Sequence, residues 1–279
     1  RLSPMTATSA DPTRQAALVA AADQLIAAAA TGRPCPPVRE LVPDATLADG
    51  YVVQRLVHAR TEAGRTRVGR KIGLTSPAVQ EQMGVDSPDL GVLHADMAFA
   101  DGETIPYGRL LQPRIEAEVA FVLGADLSPA PVTVADVAAA TDHVVAAIEV
   151  CASRIAGWDI SLFDTVADNA SSGVFVLGAT PVALDAIEDL PGAAMTVVCD
   201  GEVVSAGTGA ACMGHPINAV VWLANAVAEQ GEPLRAGEIV LSGSLGPLVP
   251  VAPNSTYEAT ITGLGSVRAV FGPEGGDTP

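Results

Sequence analysis

Apolar positions in residues 11–32 recur at helical spacing, with Leu18, Ala22, Leu25 and Ile26 on one face. Asp11-Pro12 supplies an N-cap and a first-turn proline, and Gly32 closes the pattern, so this stretch predicts an amphipathic helix. A second helix is expected from Thr46, with Asp49 in the capping-box position, through Val53, Leu56 and Val57 to Gly64. A short strand carrying Lys71 follows, and Ser76-Pro77 is expected to cap a brief helix that finishes at Gly84.

From about residue 90 the texture changes to short β runs. Strands are expected over 91–98, 115–123, 144–150 and 174–177, then at 238–241 and within 256–271. Asp200-Gly201, between MTVVC and EVVSAG, has the composition of a type I′ hairpin turn. One later helix is expected over 217–228, ending near Gly231 and capped or flanked by His215. The strand–helix alternation of a doubly wound sheet is missing, so the expected class is α+β. We expect a helical N-terminal section over 5–65 packed on a β-rich body over 66–272, with a loose tail at 273–279, in one structural domain. The RPCPP segment at 33–37 also looks loose.

Composition narrows the function. A chain of 279 residues with 49% hydrophobic content can bury a substantial core. Its formal charge of −17 repels phosphate backbones and anionic lipid, and no basic run interleaved with aromatics offsets it. Apolar runs break well short of the roughly 20 residues that span a bilayer, and no basic start leads into a signal-peptide core. A cytoplasmic protein acting on a small molecule, with no nucleic acid and no membrane, is therefore expected. Cys35, Cys151, Cys199 and Cys212 lie far apart without CxxC spacing and read as buried thiols. His58, His94, His143 and His215 are equally scattered, so any metal would need oxygen ligands.

The chemistry concentrates in a few acids and one base. In PRIEAEVAFVLG, strand geometry puts Ile115, Ala117, Val119 and Phe121 on one face and Glu116 with Glu118 on the other. Glu149 interrupts the apolar run VVAAIEV. Two readings of the pair stay open: ordinary polarity on a solvated face, or buried carboxylates that share a cation or a proton. Three such acids would form a hard oxygen site suited to Mg²⁺ or Mn²⁺. Lys71 is the single lysine among fifteen Lys and Arg residues.

VGRKIGLTSPAVQEQMGVDSPDLGVLHADM, QPRIEAEVAFVL, the acid of AAIEV followed by SRIAGWD, and DTVADNASSGVFVLG occur in that order. Over about residues 45–271 the chain thereby resembles the 2-keto-4-pentenoate (2-hydroxypenta-2,4-dienoate) hydratases of the fumarylacetoacetate hydrolase superfamily. The resemblance implies a mixed β-sandwich or roll and a divalent metal, Mg²⁺ or Mn²⁺, on Glu116, Glu118 and Glu149. It also implies Lys71 and Asp89 as catalytic groups and Ser171 and Leu74 as substrate contacts. The implied reaction is hydration of 2-hydroxypenta-2,4-dienoate to 4-hydroxy-2-oxopentanoate in aromatic or steroid ring degradation. The implied partners are further copies of the chain, as a pentamer or decamer, and the downstream aldolase. One departure stands out: Ala152 occupies a position where close relatives usually carry Asp, which bears on support around the metal. The alternatives are a 4-oxalocrotonate decarboxylase, a hydratase of a longer 2-oxo-dioate, an acylpyruvate hydrolase and a non-catalytic partner subunit.

Overall fold

The fold was analysed in a computed structural model that describes residues 11–61, 63–77, 80–81, 87–127 and 131–275. Its core lies where alternating strands turn their apolar sides toward one another. One sheet has the order β2 (Asp89–His94), β1 (Arg67–Gly73), β10 (Ile239–Ser244), β5 (Arg114–Leu123), β6 (Thr141–Cys151), β7 (Ser172–Leu177) and β3 (Ala98–Ala100), with β11 (Val249–Pro250) also on β5. The other runs β4 (Thr104–Ile105), β13 (Gly265–Phe271), β12 (Thr256–Ile261), β8 (Ala194–Cys199) and β9 (Glu202–Thr208). Ile115, Ala117, Val119 and Phe121 of β5 share one apolar cluster with Val197, Ala259 and Val267 of the second sheet. Each large side chain so buried contributes about 1.5–3 kcal/mol. The alternation that commits this face of β5 to the core sends Glu116 and Glu118 to the opposite face.

Helices flank the large sheet, with residues 216–229 against β10 and β1 and residues 162–167 against β2. α1 (Pro12–Thr31) is capped by Asp11 through Thr13 N at 2.9 Å and closes on Gly32 at φ 65°. α2 (Leu47–Thr61) opens with the expected Thr46–Asp49 box. Val53 of α2 joins Leu18 and Leu25 of α1 in a second apolar cluster with Phe163 and Ala167 of α4 (Leu162–Ala167). α5 (Pro216–Glu229) is capped by His215 Nδ1, which accepts from Ile217 N at 3.0 Å. Asp200 and Gly201 both have positive φ, 51° and 82°, as the type I′ turn between β8 and β9 requires.

Several expectations are corrected. α4 and the seven-residue α3 (Val134–Ala140) have too few turns to show a helical period and were missed. The run expected as one strand over 91–98 is β2, a 3₁₀ turn at 95–97 and the start of β3, because the chain leaves one edge of the sheet and returns at the other. RPCPP is anchored rather than loose: Cys35 N donates to Arg154 O and Ala156 N to Cys35 O, both at 2.8 Å. Three of the four cysteines are buried, whereas Cys199 is half-exposed at the end of β8. The expected helix end at Gly84 lies outside the described residues. Among the described residues no helix is long and apolar enough to cross a membrane.

Candidate active site and metal centre

Four strands, β2 and β1 on one side of β10 and β5 and β6 on the other, deliver the charged residues to one face of the large sheet. Glu116 of β5 sits directly opposite Glu149 of β6 in the pairing register. Glu118 follows two residues on, at the same face, and interacts with Glu116. Lys71 of β1 places its Nζ 3.0 Å from Glu149 Oε1, an ion-pair distance without hydrogen-bond alignment. Asp89, opposite Gly73 where β1 meets β2, completes the group. All five are buried, so four carboxylates share one ammonium.

Small residues make the space. A Cβ on Gly73 would come within 2.2 Å of Asp89 Oδ1, so only glycine lets that carboxylate lie against β1. A bulge in β10 between Leu241 and Ser244 brings Gly243 N to 2.8 Å from Glu118 Oε2. Gly243 has φ 111°, and a Cβ there would meet Thr75 Oγ1 at 2.2 Å. Leu74 adopts φ 58°, and Asn169, Ala170 and Ser171 adopt 55°, 52° and 52°. Left-handed backbone at non-glycine residues is strained and persists where the surroundings over-determine it. Here the anchor is explicit. Asn169 binds Val92 N and O at 2.8 and 3.0 Å, and Arg154 donates to the Asp168 carboxylate, to Asp168 O at 2.6 Å and to Ser172 O at 2.8 Å.

Burial without enough countercharge governs the electrostatics. Desolvation first, and Glu149 second, push Glu116 up to about 7. The same causes, joined by Glu116, hold Glu118 well above the usual carboxylate range. Burial raises Asp89, opposed by Lys71. Burial alone would depress the Lys71 ammonium, but Glu149, Cys151 and Asp89 overcome it and keep the lysine well above its ordinary value. Asp89 Oδ2 accepts from Thr165 Oγ1 at 3.3 Å, and Thr165 Oγ1 lies 3.2 Å from Ser171 Oγ, so a carboxylate and two hydroxyls form a chain.

Lys71, Asp89, Glu116, Leu74 and Ser171 all line one small cavity, with Glu118 and Glu149 buried beside it. Besides its apolar wall, two residues of the cavity, Thr165 and Cys151, escaped the sequence reading. Thr165 was hidden inside DTVADNASSG, and Cys151 read only as a buried thiol although it follows Glu149 by two on the same strand face. Its sulfur and oxygens of Glu116 and Glu149 lie within 4.8 Å of one another. Burial and Glu149 push the Cys151 thiol well up. Ala152 lines a different cavity, beside Arg154 and Leu25, so its missing carboxylate is not a gap in this cluster. Asp164 and Asp168 serve the scaffold: the first caps α4 and pairs with Arg39 at 2.6 Å, the second holds Arg154.

A divalent metal fits these donors. Glu118 Oε1 and both Glu149 oxygens are buried without a hydrogen-bond donor among the described residues, in a cluster with excess negative charge.

The molecule thus combines a two-sheet body, its carboxylates gathered on one sheet face, with an N-terminal helical section. Residues 62–271 match the fumarylacetoacetate (FAA) hydrolase C-terminal family. The chain is 55% identical over 253 residues to a 2-keto-4-pentenoate hydratase of Burkholderia vietnamiensis (strain G4 / LMG 22486), covering 90% of this chain and 95% of that protein. It is 41% identical over 254 residues to a 2-hydroxyhexa-2,4-dienoate hydratase of Comamonas testosteroni, covering 89% and 95%. The fold is similar to 4-oxalocrotonate decarboxylase from Pseudomonas putida G7 complexed with magnesium and adipate, at a TM-score of 0.85 and 38% identity over 91% of this chain and 97% of that one. The chain belongs to the fumarylacetoacetate hydrolase superfamily and, within it, to the 2-keto-4-pentenoate hydratase family.

Proposed function

We propose that the protein is a divalent-metal-dependent hydro-lyase that adds water to 2-hydroxypenta-2,4-dienoate, giving 4-hydroxy-2-oxopentanoate in the breakdown of aromatic rings. The observation that carries this reading is the cluster of four buried carboxylates around one lysine, lining or adjoining a cavity. The names of the similar hydratases support the reaction, and the magnesium complex of the decarboxylase supports the metal.

Glu116, Glu118 and Glu149 would hold the cation, with Mg²⁺ or Mn²⁺ the hard ions suited to oxygen donors. When bound it supplies Lewis-acid polarisation of the 2-oxo group and stabilises the neighbouring enolate. Lys71 stays protonated and offers a compact charge to the substrate carboxylate or to charge developing on the enolate. A guanidinium is broader and planar, so arginine would not replace it. Asp89, whose carboxyl burial raises, would deliver a proton to C5 and be restored by the proton that the 2-hydroxyl releases; it would then take a proton from the water that adds at C4 and pass it to C3. Thr165 and Ser171 extend Asp89 into the cavity and would orient that water. Leu74, in its left-handed conformation, packs against the substrate chain.

The fold likeness to the decarboxylase favours a second reading, loss of CO₂ from 4-oxalocrotonate. Product analysis separates the two. Hydration predicts a 4-hydroxy-2-oxo acid from the monocarboxylic dienoate, abolished by chelator, whereas CO₂ from oxalocrotonate without hydration of the dienoate would overturn the proposal. Assembly into a pentamer or decamer, and delivery of product to an aldolase, belong to the same reading. Val203 and Val204 stand exposed on β9, at one edge of its sheet, as a contact between copies would need. Light scattering of the purified chain tests that assembly.

A further inference from the structure

The cavity beside Lys71 has an apolar wall as well as a charged one. Leu74, Trp158, Ile160, Ala170 and Leu248 form it, and among the described residues Lys71 is the single cation lining the cavity. The segment from Leu74 to Pro88, part of which lies outside the described residues, contains no Lys, Arg or His.

A second cation nevertheless stands close by. Arg114 precedes Glu116 by two residues on β5, pairs in register with Cys151, and sets its guanidinium carbon 4.5 Å from the centroid of the Trp158 ring. It is half-buried and has no carboxylate partner among the described residues, in a chain of formal charge −17. The stack is built rather than incidental. Trp158 Nε1 donates to Gln112 O at 3.0 Å, while the Gln112 side chain accepts from Gly157 N at 2.7 Å and donates to Ser153 O and Ile155 O at 3.0 and 2.8 Å. Trp158 and Gln112 both hold left-handed φ, 56° and 51°, which a non-glycine residue keeps only when it is tied in place.

We propose that the Arg114–Trp158 stack is a charge filter for the far end of the substrate: Trp158 gives the cavity an apolar ring and holds Arg114 behind it, so that monoanionic 2-hydroxydienoates are accepted and dianionic ones rejected. This deepens the hydratase reading and rests on it. The substrate's own carboxylate is served by Lys71 and the metal. A second carboxylate would leave water beside Leu74, Ile160 and Leu248 without a partner, and selectivity of this kind comes from the unpaired charge imposed on the wrong ligand. Removing the indole would uncover Arg114 and supply that partner.

The test compares kcat/KM of the full-length, metal-loaded protein for 2-hydroxypenta-2,4-dienoate and for the dianionic 2-hydroxyhexa-2,4-dienedioate. Wild type favours the monoanion by about tenfold or more. Trp158→Ala shifts the dianion-to-monoanion ratio toward the dianion by about tenfold, Arg114→Gln alone leaves the ratio near wild type, and the Arg114→Gln, Trp158→Ala double variant restores it. An unchanged ratio in Trp158→Ala overturns the filter, as does a gain that persists in the double variant, since extra room would then be the cause. Should Trp158→Ala fail to fold, competition in the wild type decides: 2-oxohexanedioate must inhibit about tenfold more weakly than 2-oxohexanoate, and equal inhibition overturns the proposal. Absence of monoanion hydration in the wild type would instead remove the hydratase reading, a separate result.

Discussion

Replacing Glu116 by glutamine should stabilise the metal-free protein while removing its response to metal. Glu116 is buried, and its carboxyl is pushed up to about 7 by desolvation and then by Glu149, against the pull of Lys71. In the unfolded chain a glutamate titrates near ~4.3. Because the folded value is the higher one, the native state is not penalised below about pH 4, loses stability as the pH climbs toward about 7, and carries a constant penalty above that. Between two and three pH units at ~1.4 kcal/mol each give roughly 3 kcal/mol. Glutamine keeps the shape without the charge, so in chelator at pH 8 Glu116→Gln should be the more stable by up to about 3 kcal/mol, with the gap closing at pH 5. Urea unfolding at both pH values with EDTA, repeated with Mg²⁺ or Mn²⁺, measures it. Metal should raise the wild-type midpoint by mass action and the variant's far less. A variant less stable than wild type at pH 8 in EDTA, or equal metal stabilisation of both, would refute the reasoning.

Other expectations follow from the same cluster. Calorimetry in buffers of differing ionisation enthalpy should find divalent-metal affinity rising from about pH 5 to about pH 8, with protons released, because Glu116 must lose the proton it holds up to about 7. Lys71→Met and Lys71→Arg should each lower kcat/KM for the dienoate by about 100-fold or more, the first through loss of charge and the second through misfit; steady-state kinetics on folded variants decides this. Gly243→Ala should lower the thermal midpoint and cost about 1–3 kcal/mol, since its φ of 111° and the contact with Thr75 both oppose a side chain. Arg154→Met should destabilise the protein by about 3–5 kcal/mol at pH 8, leaving Asp168 buried without its partner, with the deficit read by urea unfolding.

Where the chemistry is local in sequence, it was legible there. Glu116 and Glu118 share a face because a strand repeats every two residues, and the same rule could have exposed Cys151 beside Glu149. Lys71 was singled out by composition, yet its partner Glu149 lies two strands beyond the neighbouring β10, which no period reveals. The resemblance, not the pattern, named Asp89, Ser171 and Leu74. The Asp89–Thr165–Ser171 chain needs α4 to lie against β2, and six residues of α4 give no helical signal. Asp164 and Asp168 are buried acids that no pattern could place, because sequence cannot tell a carboxylate facing a cavity from one facing an arginine. Ala152 looked like damage to the metal site for a related reason: strand β6 ends at Cys151, and the next side chain serves another cavity.

The central claim is metal-dependent hydration at the carboxylate cluster. Nuclear magnetic resonance of the products formed from 2-hydroxypenta-2,4-dienoate in deuterated water, with Mg²⁺ and again with EDTA, tests it most directly. The account predicts 4-hydroxy-2-oxopentanoate with solvent deuterium in its terminal methyl group, formed with metal and not with chelator. Unconverted dienoate in the presence of metal, or the same product at the same rate in EDTA, would contradict it.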